Sequence, residues 1–183
     1  MEKDKILLKI AQLSILSEFD DTIKIDKVSL KKEFPFLNEE RACFVTLNLN
    51  GKLRGCIGSL IAHKSLIDDV ISNARSAAFS DLRFPRLSYE EFKNINIEIS
   101  ILTPPLKLEY SSLEELRNKI IPNKHGVTLE CQNKSATFLP QVWEQIPDFD
   151  NFFRQLSLKA GFETSCLDLN PTIYTYTVTK VKS

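Results

Sequence analysis

The sequence predicts an α+β fold of antiparallel sheets covered by helices. Asn50-Gly51 stands between two strand-like runs, 43–49 and 52–57, and is the strongest short hairpin signal. Ile95, Ile97, Ile99 and Ile101 alternate with Asn96, Glu98 and Ser100, the period of a half-buried strand. Helical segments mix with these strands without the regular βαβ alternation of a doubly wound sheet.

The elements follow in order. Residues 2–19 place Ile6, Ile10, Leu13 and Leu16 near helical spacing, with charged residues between them. After the hairpin, Ser65 precedes a helix through Phe79, with Leu66, Val70, Ala74 and Ala77 on one stripe. Asp68 and Asp69 in its first turn suit the positive end of the helix dipole. Ser88 with Glu91 and Ser112 with Glu115 are capping boxes, each opening a short helix. The isoleucine strand lies between them and ends at Thr103-Pro104-Pro105. Val127, Leu129 and Cys131 alternate in a strand that turns at Gln132-Asn133-Lys134 into 136–139. After Pro140, Gln141, Val142, Trp143 and Glu144 read as a short helix, with the Trp143 indole as a core anchor. Phe149, Phe152, Phe153, Leu156 and Ala160 form a last amphipathic helix, with Gly161 as its cap. Residues 172–181 close the chain as one β-branched and aromatic strand.

A length of 183 residues suits one domain, or one body with two lobes. The 24 basic residues balance 24 acidic ones, so the electrostatic footprint of a nucleic-acid binder is absent. No apolar run reaches the roughly 18 residues of a membrane helix. The start of the chain carries no signal-peptide pattern. Cys43, Cys56, Cys131 and Cys166 form no short-spaced pair, which favours reduced thiols and a cytoplasmic setting. With only His63 and His125 and no ligand spacing, no metal site is expected. His125 before Gly126 reads as a turn residue.

Glycine is scarce, five in the chain where usage of about 7% gives about 13. Three of the five, Gly51, Gly55 and Gly58, fall within eight residues. The turn explains Gly51, but a glycine inside a strand weakens it unless something approaches the backbone closely. A two-residue turn sets Leu47 opposite Arg54, Thr46 opposite Gly55 and Val45 opposite Cys56. Arg54 and Cys56 then share a face, and a fixed guanidinium beside a partly desolvated thiol favours the nucleophilic thiolate. The plainer reading makes Cys56 a small core residue and Arg54 a structural ion-pair partner. Gly55 and Gly58 can also offer backbone N–H groups to an anion.

Asp81-Leu82-Arg83-Phe84-Pro85 is a second cluster. Asp81 and Arg83 either position a polar ligand beside the hairpin or form ordinary helix-exit chemistry before an X-Pro stop. Glu98, on the polar side of the isoleucine strand, is a base if that side lines a cleft and a solvated residue if not.

The run Leu53-Arg54-Gly55-Cys56-Ile57-Gly58, LRGCIG, resembles the signature hexapeptide of the AMMECR-type family, whose microbial members are known as AmmeMemoRadiSam system protein A. The resemblance continues through Asn73-Ala74-Arg75-Ser76-Ala77-Ala78-Phe79, Asp81-Leu82-Arg83-Phe84-Pro85 and Glu98-Ile99-Ser100-Ile101-Leu102-Thr103-Pro104-Pro105. Further on it takes in Ala136-Thr137-Phe138-Leu139-Pro140-Gln141-Val142-Trp143-Glu144 and Leu158-Lys159-Ala160-Gly161, so it spans most of the chain. One departure is Leu82, where the family usually carries proline or a similar turn residue.

The resemblance implies one domain over 1–183 with two α+β lobes, whose boundary carries no sequence signal, and a hexapeptide hairpin near the cleft between them. It implies association with a Memo-like protein and a radical SAM protein, and it names no reaction and no cofactor. The residues it carries over are Arg54, Gly55, Cys56 and Gly58, followed by Asp81 and Arg83. Two functions are then expected. One is an accessory or enzymatic component using Cys56 as a thiolate tuned by Arg54, acting on a small anionic ligand. The alternative is a non-catalytic interaction module whose inter-lobe cleft docks a partner protein, since no base or orienter accompanies the thiol at recognisable spacing.

Overall fold

Helix α1 (Glu2–Leu16) buries Leu7, Ile10, Ala11, Ser14 and Ile15, a stripe at true helical spacing. The expected stripe of Ile6, Ile10, Leu13 and Leu16 is thus rotated: only Ile10 is fully buried, and the other three lie at its half-buried margins. Ser14 tolerates burial because its hydroxyl donates to the Ala11 carbonyl at 2.8 Å. The computed structural model describes residues 2–183. Helix α2 (Lys27–Glu33), capped by Asp26, buries none of its residues, so it lacked the apolar period that would have revealed it.

Next come β1 (Cys43–Leu49), β2 (Lys52–Gly58), α3 (Leu66–Phe79), α4 (Tyr89–Phe92) and β3 (Ile95–Leu102). The later part holds β4 (Leu106–Leu108), α5 (Leu113–Lys119), β5 (Gly126–Cys131), β6 (Lys134–Phe138), α6 (Phe149–Lys159), β7 (Thr172–Tyr176) and β8 (Val178–Lys182). Strands and helices sit in two compact units. One runs to Leu102 and takes back Thr179–Ser183; the other is Thr103–Val178.

The first unit holds a four-stranded sheet of order β2-β1-β3-β8. Strands β2 and β3 pair antiparallel with β1. Cys43, Val45 and Leu47 of β1 and Ile97 and Ile99 of β3 join the apolar stripes of α1 and α3 in one core. The alternation of the isoleucine strand is therefore a choice of face, with α1 and α3 on the apolar side. The second unit carries β4-β7-β5-β6, again antiparallel in every pairing. Gln132 and Asn133 both take positive φ, which closes β5 onto β6 in a two-residue turn. Its core centres on Trp143, stacked on Phe152 with ring centroids 3.6 Å apart and its Nε1 donating to the His125 carbonyl at 3.0 Å.

Residues 172–181 are not one strand. Thr177 donates its N–H to Thr103 Oγ1 at 2.9 Å, and the chain changes sheets there, β7 in one and β8 in the other. No glycine or proline marks the break, so the sequence reads straight through it. None of the described helices is long and apolar enough to cross a membrane.

Candidate functional site

The hairpin begins in the expected register, with Leu49 facing Lys52 and Asn48 facing Leu53, and then slips by one residue. Leu47 faces Gly55, Thr46 faces Cys56 and Val45 faces Ile57, so Arg54 is the extra residue of a β-bulge. This corrects the uniform register read from the turn, because a one-residue slip exchanges the faces of everything beyond it. Gly55 turns to the side covered by α3, where a Cβ would lie 2.1 Å from the Ala77 carbonyl oxygen. At Gly58 a Cβ would meet the Phe44 ring at 2.3 Å. Close packing within the fold accounts for both glycines. Cys56 turns to the opposite face, beside Thr46.

The bulge sends Arg54 away from the thiol. Its side chain is 8% exposed and grips Glu91 of α4 with two bonds, Nε to Oε1 at 2.8 Å and Nη2 to Oε2 at 3.0 Å. Nη2 also donates to the Pro85 carbonyl at 2.9 Å. Glu91 completes the capping box expected with Ser88. Hydrogen bonds from Arg54, then from the Ser88 N–H, hold the Glu91 carboxyl down to about 2. Arg54 thus serves the ion pair of the plainer sequence reading, and Glu91, legible only as a cap, is its partner.

A different guanidinium reaches Cys56. Strand β2 is a sheet edge, and edge strands expose unpaired backbone groups. Asp81 Oδ2 accepts the Cys56 N–H at 2.9 Å, and Arg83 Nη2 donates to the Cys56 carbonyl at 3.1 Å. The two side chains lock each other, Arg83 Nη2 to Asp81 Oδ2 at 2.7 Å and Nε to Oδ1 at 3.0 Å. Those bonds hold the Asp81 carboxyl well below the usual carboxylate range and raise Arg83. Asp81 and Arg83 therefore form a clamp on one residue of the edge strand, 25 and 27 residues distant in sequence from the residue they hold.

Cys56 is half-buried, whereas Cys43, Cys131 and Cys166 are buried. Its Sγ accepts a hydrogen bond from Thr46 Oγ1 at 3.3 Å. Burial, and next the nearby Asp69, push the Cys43 thiol far up. Asp69 itself accepts from the Cys43 N–H at 2.8 Å, Ser59 Oγ at 2.7 Å and Asn73 Nδ2 at 3.0 Å, tying α3 to the start of β1. These buried roles carry no local signal: in sequence Asp69 is a first-turn acid and Asn73 only part of the family-like run. Glu98 is not simply solvated: Lys182 lies 2.9 Å and Lys180 3.6 Å from its carboxylate. His125 is a turn residue, its Nδ1 accepting from the Ile121 N–H at 3.2 Å. Among the described residues no group of three or more His, Cys, Asp or Glu is placed to hold a metal ion.

A family model described as AMMECR1 matches residues 8–181. The chain belongs to the AMMECR1 family. It is similar to Protein MK0488 of Methanopyrus kandleri, 35% identical over 169 residues that cover 88% of this chain and 78% of that one. Protein SSO0193 of Saccharolobus solfataricus is 36% identical over 172 residues, 90% of this chain and 74% of the other. Among solved structures, the crystal structure of the uncharacterized protein PH0010 from Pyrococcus horikoshii matches with a TM-score of 0.80 and 32% identity. That likeness covers 98% of this chain and 90% of the other, and it agrees with the α+β fold. Leu82, where the resemblance leads to the expectation of a proline or similar turn residue, projects fully into solvent. The loop keeps its turn without a proline there, through Phe84 N–H to the Asp81 carbonyl at 3.0 Å and Arg83 N–H to Asp81 Oδ1 at 3.1 Å.

Proposed function

We propose that this AMMECR1-family protein is a cytoplasmic component acting with a Memo-like protein and a radical SAM protein, and that Cys56 is its reactive group. The observation that carries this reading is the placement of Cys56 among the four cysteines. It alone is half-buried, and the Asp81–Arg83 clamp holds the backbone N–H and carbonyl of this one residue. Arg83, more than half exposed, brings to the Cys56 backbone the guanidinium first expected of Arg54. The partners follow from the family resemblance.

A second reading makes the same edge a non-catalytic docking surface. It draws on the exposed Leu82 and Ile61, which lie in the loops following α3 and β2. Isolation of the tagged protein from its native cell tests both. The proposed function predicts that the Memo-like and radical SAM proteins co-elute with wild type and with Cys56→Ser alike, while the variant fails to support the system's output. Loss of both partners on Leu82→Glu, with Cys56→Ser silent, would favour the docking reading. Recovery of neither partner with wild type would overturn the proposed association.

A further inference from the structure

The first sheet carries a line of polar chemistry across four strands. Thr46 of β1 faces Cys56 on one side and Glu98 of β3 on the other, so these three side chains share the face turned away from the α1–α3 core. Strand β8 adds Lys180 and Lys182, both ion-paired to Glu98. Val181 between them is buried in the opposite, helix-covered core, which fixes both lysines to the same face as Cys56.

Neighbouring strands lie about 4.8 Å apart, so roughly 10 Å of surface separates Cys56 from Glu98, with the Thr46 hydroxyl between them. Two ammonium groups meet one carboxylate at the far end, leaving one positive charge in excess. Each ammonium has three N–H donors, more than Glu98 engages. Lys182 is 64% exposed and Glu98 18%, so the carboxylate is sheltered and the cations stay open to solvent.

We propose that this row binds a small ligand bearing a carboxylate or phosphate group, its anionic end held by Lys180 and Lys182 and its other end at Cys56 Sγ. The proposal rests on Cys56 as the reactive group and adds Glu98 as a positioning residue that gathers the two lysines. The surplus charge is the feature that selects an anion over a neutral molecule.

Paired alkylating probes test the row without knowledge of the natural ligand. Iodoacetate carries the negative charge and iodoacetamide does not, and peptide mass spectrometry reports the rate at Cys56 for each. At low ionic strength Lys182→Ala is expected to slow iodoacetate about two- to fivefold and leave iodoacetamide unchanged. Glu98→Gln should speed iodoacetate by a similar factor, and 1 M salt, where the Debye length is about 3 Å, should erase both effects. Lys182 is an exposed side chain, so its substitution leaves the fold intact even where Glu98→Gln does not. If Cys56 labels readily but both variants keep the wild-type ratio of the two rates, the row is overturned and the reactive thiol stands. Resistance of Cys56 to both reagents in the folded protein would overturn the two together.

Discussion

Gly55→Ala is expected to lose about 1–3 kcal/mol of stability in urea unfolding, the usual cost of forcing atoms into a filled space. The added methyl would sit 2.1 Å from the Ala77 carbonyl oxygen, a backbone atom that cannot rotate aside. Helix α3 would have to lift from β2, and with it the end of the helix that leads into Asp81 and Arg83. In an open hairpin the same change would gain roughly 0.4–1 kcal/mol, because alanine restricts the unfolded chain. The sign of the change therefore separates a packed glycine from an open one. A Gly55→Ala protein as stable as wild type would mean that α3 does not rest on this glycine.

Glu91→Gln is expected to destabilise by about 3 kcal/mol, since removing one partner leaves a buried guanidinium uncompensated. Arg54 is only 8% exposed and its Nη1 is already buried without a hydrogen-bond acceptor, so Glu91 is the only carboxylate it pairs with among the described residues. The same pair sets a pH dependence. The Glu91 carboxyl lies at about 2 in the folded protein against an ordinary 4.5. Its contribution is therefore complete above pH about 4.5 and is lost as the pH falls from there towards 2. Asp81, lowered by Arg83, adds a loss of the same sign at acid pH. Wild type should lose stability steeply over that window, and Glu91→Gln should show a flatter acid limb from a lower starting value. Parallel acid limbs would exclude Glu91 as the source.

The parts of this molecule legible in sequence are those written in local pattern. Asn50-Gly51, the isoleucine alternation, the Ser65-headed helix and the Ser88 cap each depend on neighbours a few residues away, and each stands where expected. What sequence could not supply is what depends on distant partners. The bulge at Arg54 has its partner in Glu91, 37 residues on, and nothing in Lys52–Gly58 itself signals the slip. That slip moved Cys56 from beside Val45 to beside Thr46, and so decided which face of the sheet carries the thiol. The role of Arg83 was hidden for the same reason. An Asp–Arg pair two residues apart reads as local helix-exit chemistry or as a ligand-positioning pair, and only the folded chain shows its second set of bonds, to the Cys56 N–H and carbonyl.

The proposed function requires the fold to present Cys56, and no other thiol, for reaction. Native-state alkylation with iodoacetamide, followed by peptide mass spectrometry of all four cysteines, tests it most directly. Cys56 should be modified while the protein stays folded, and Cys43, Cys131 and Cys166 only at the rate at which the chain unfolds. Modification of Cys56 no faster than Cys43 would make it a core residue and rule it out as the reactive group.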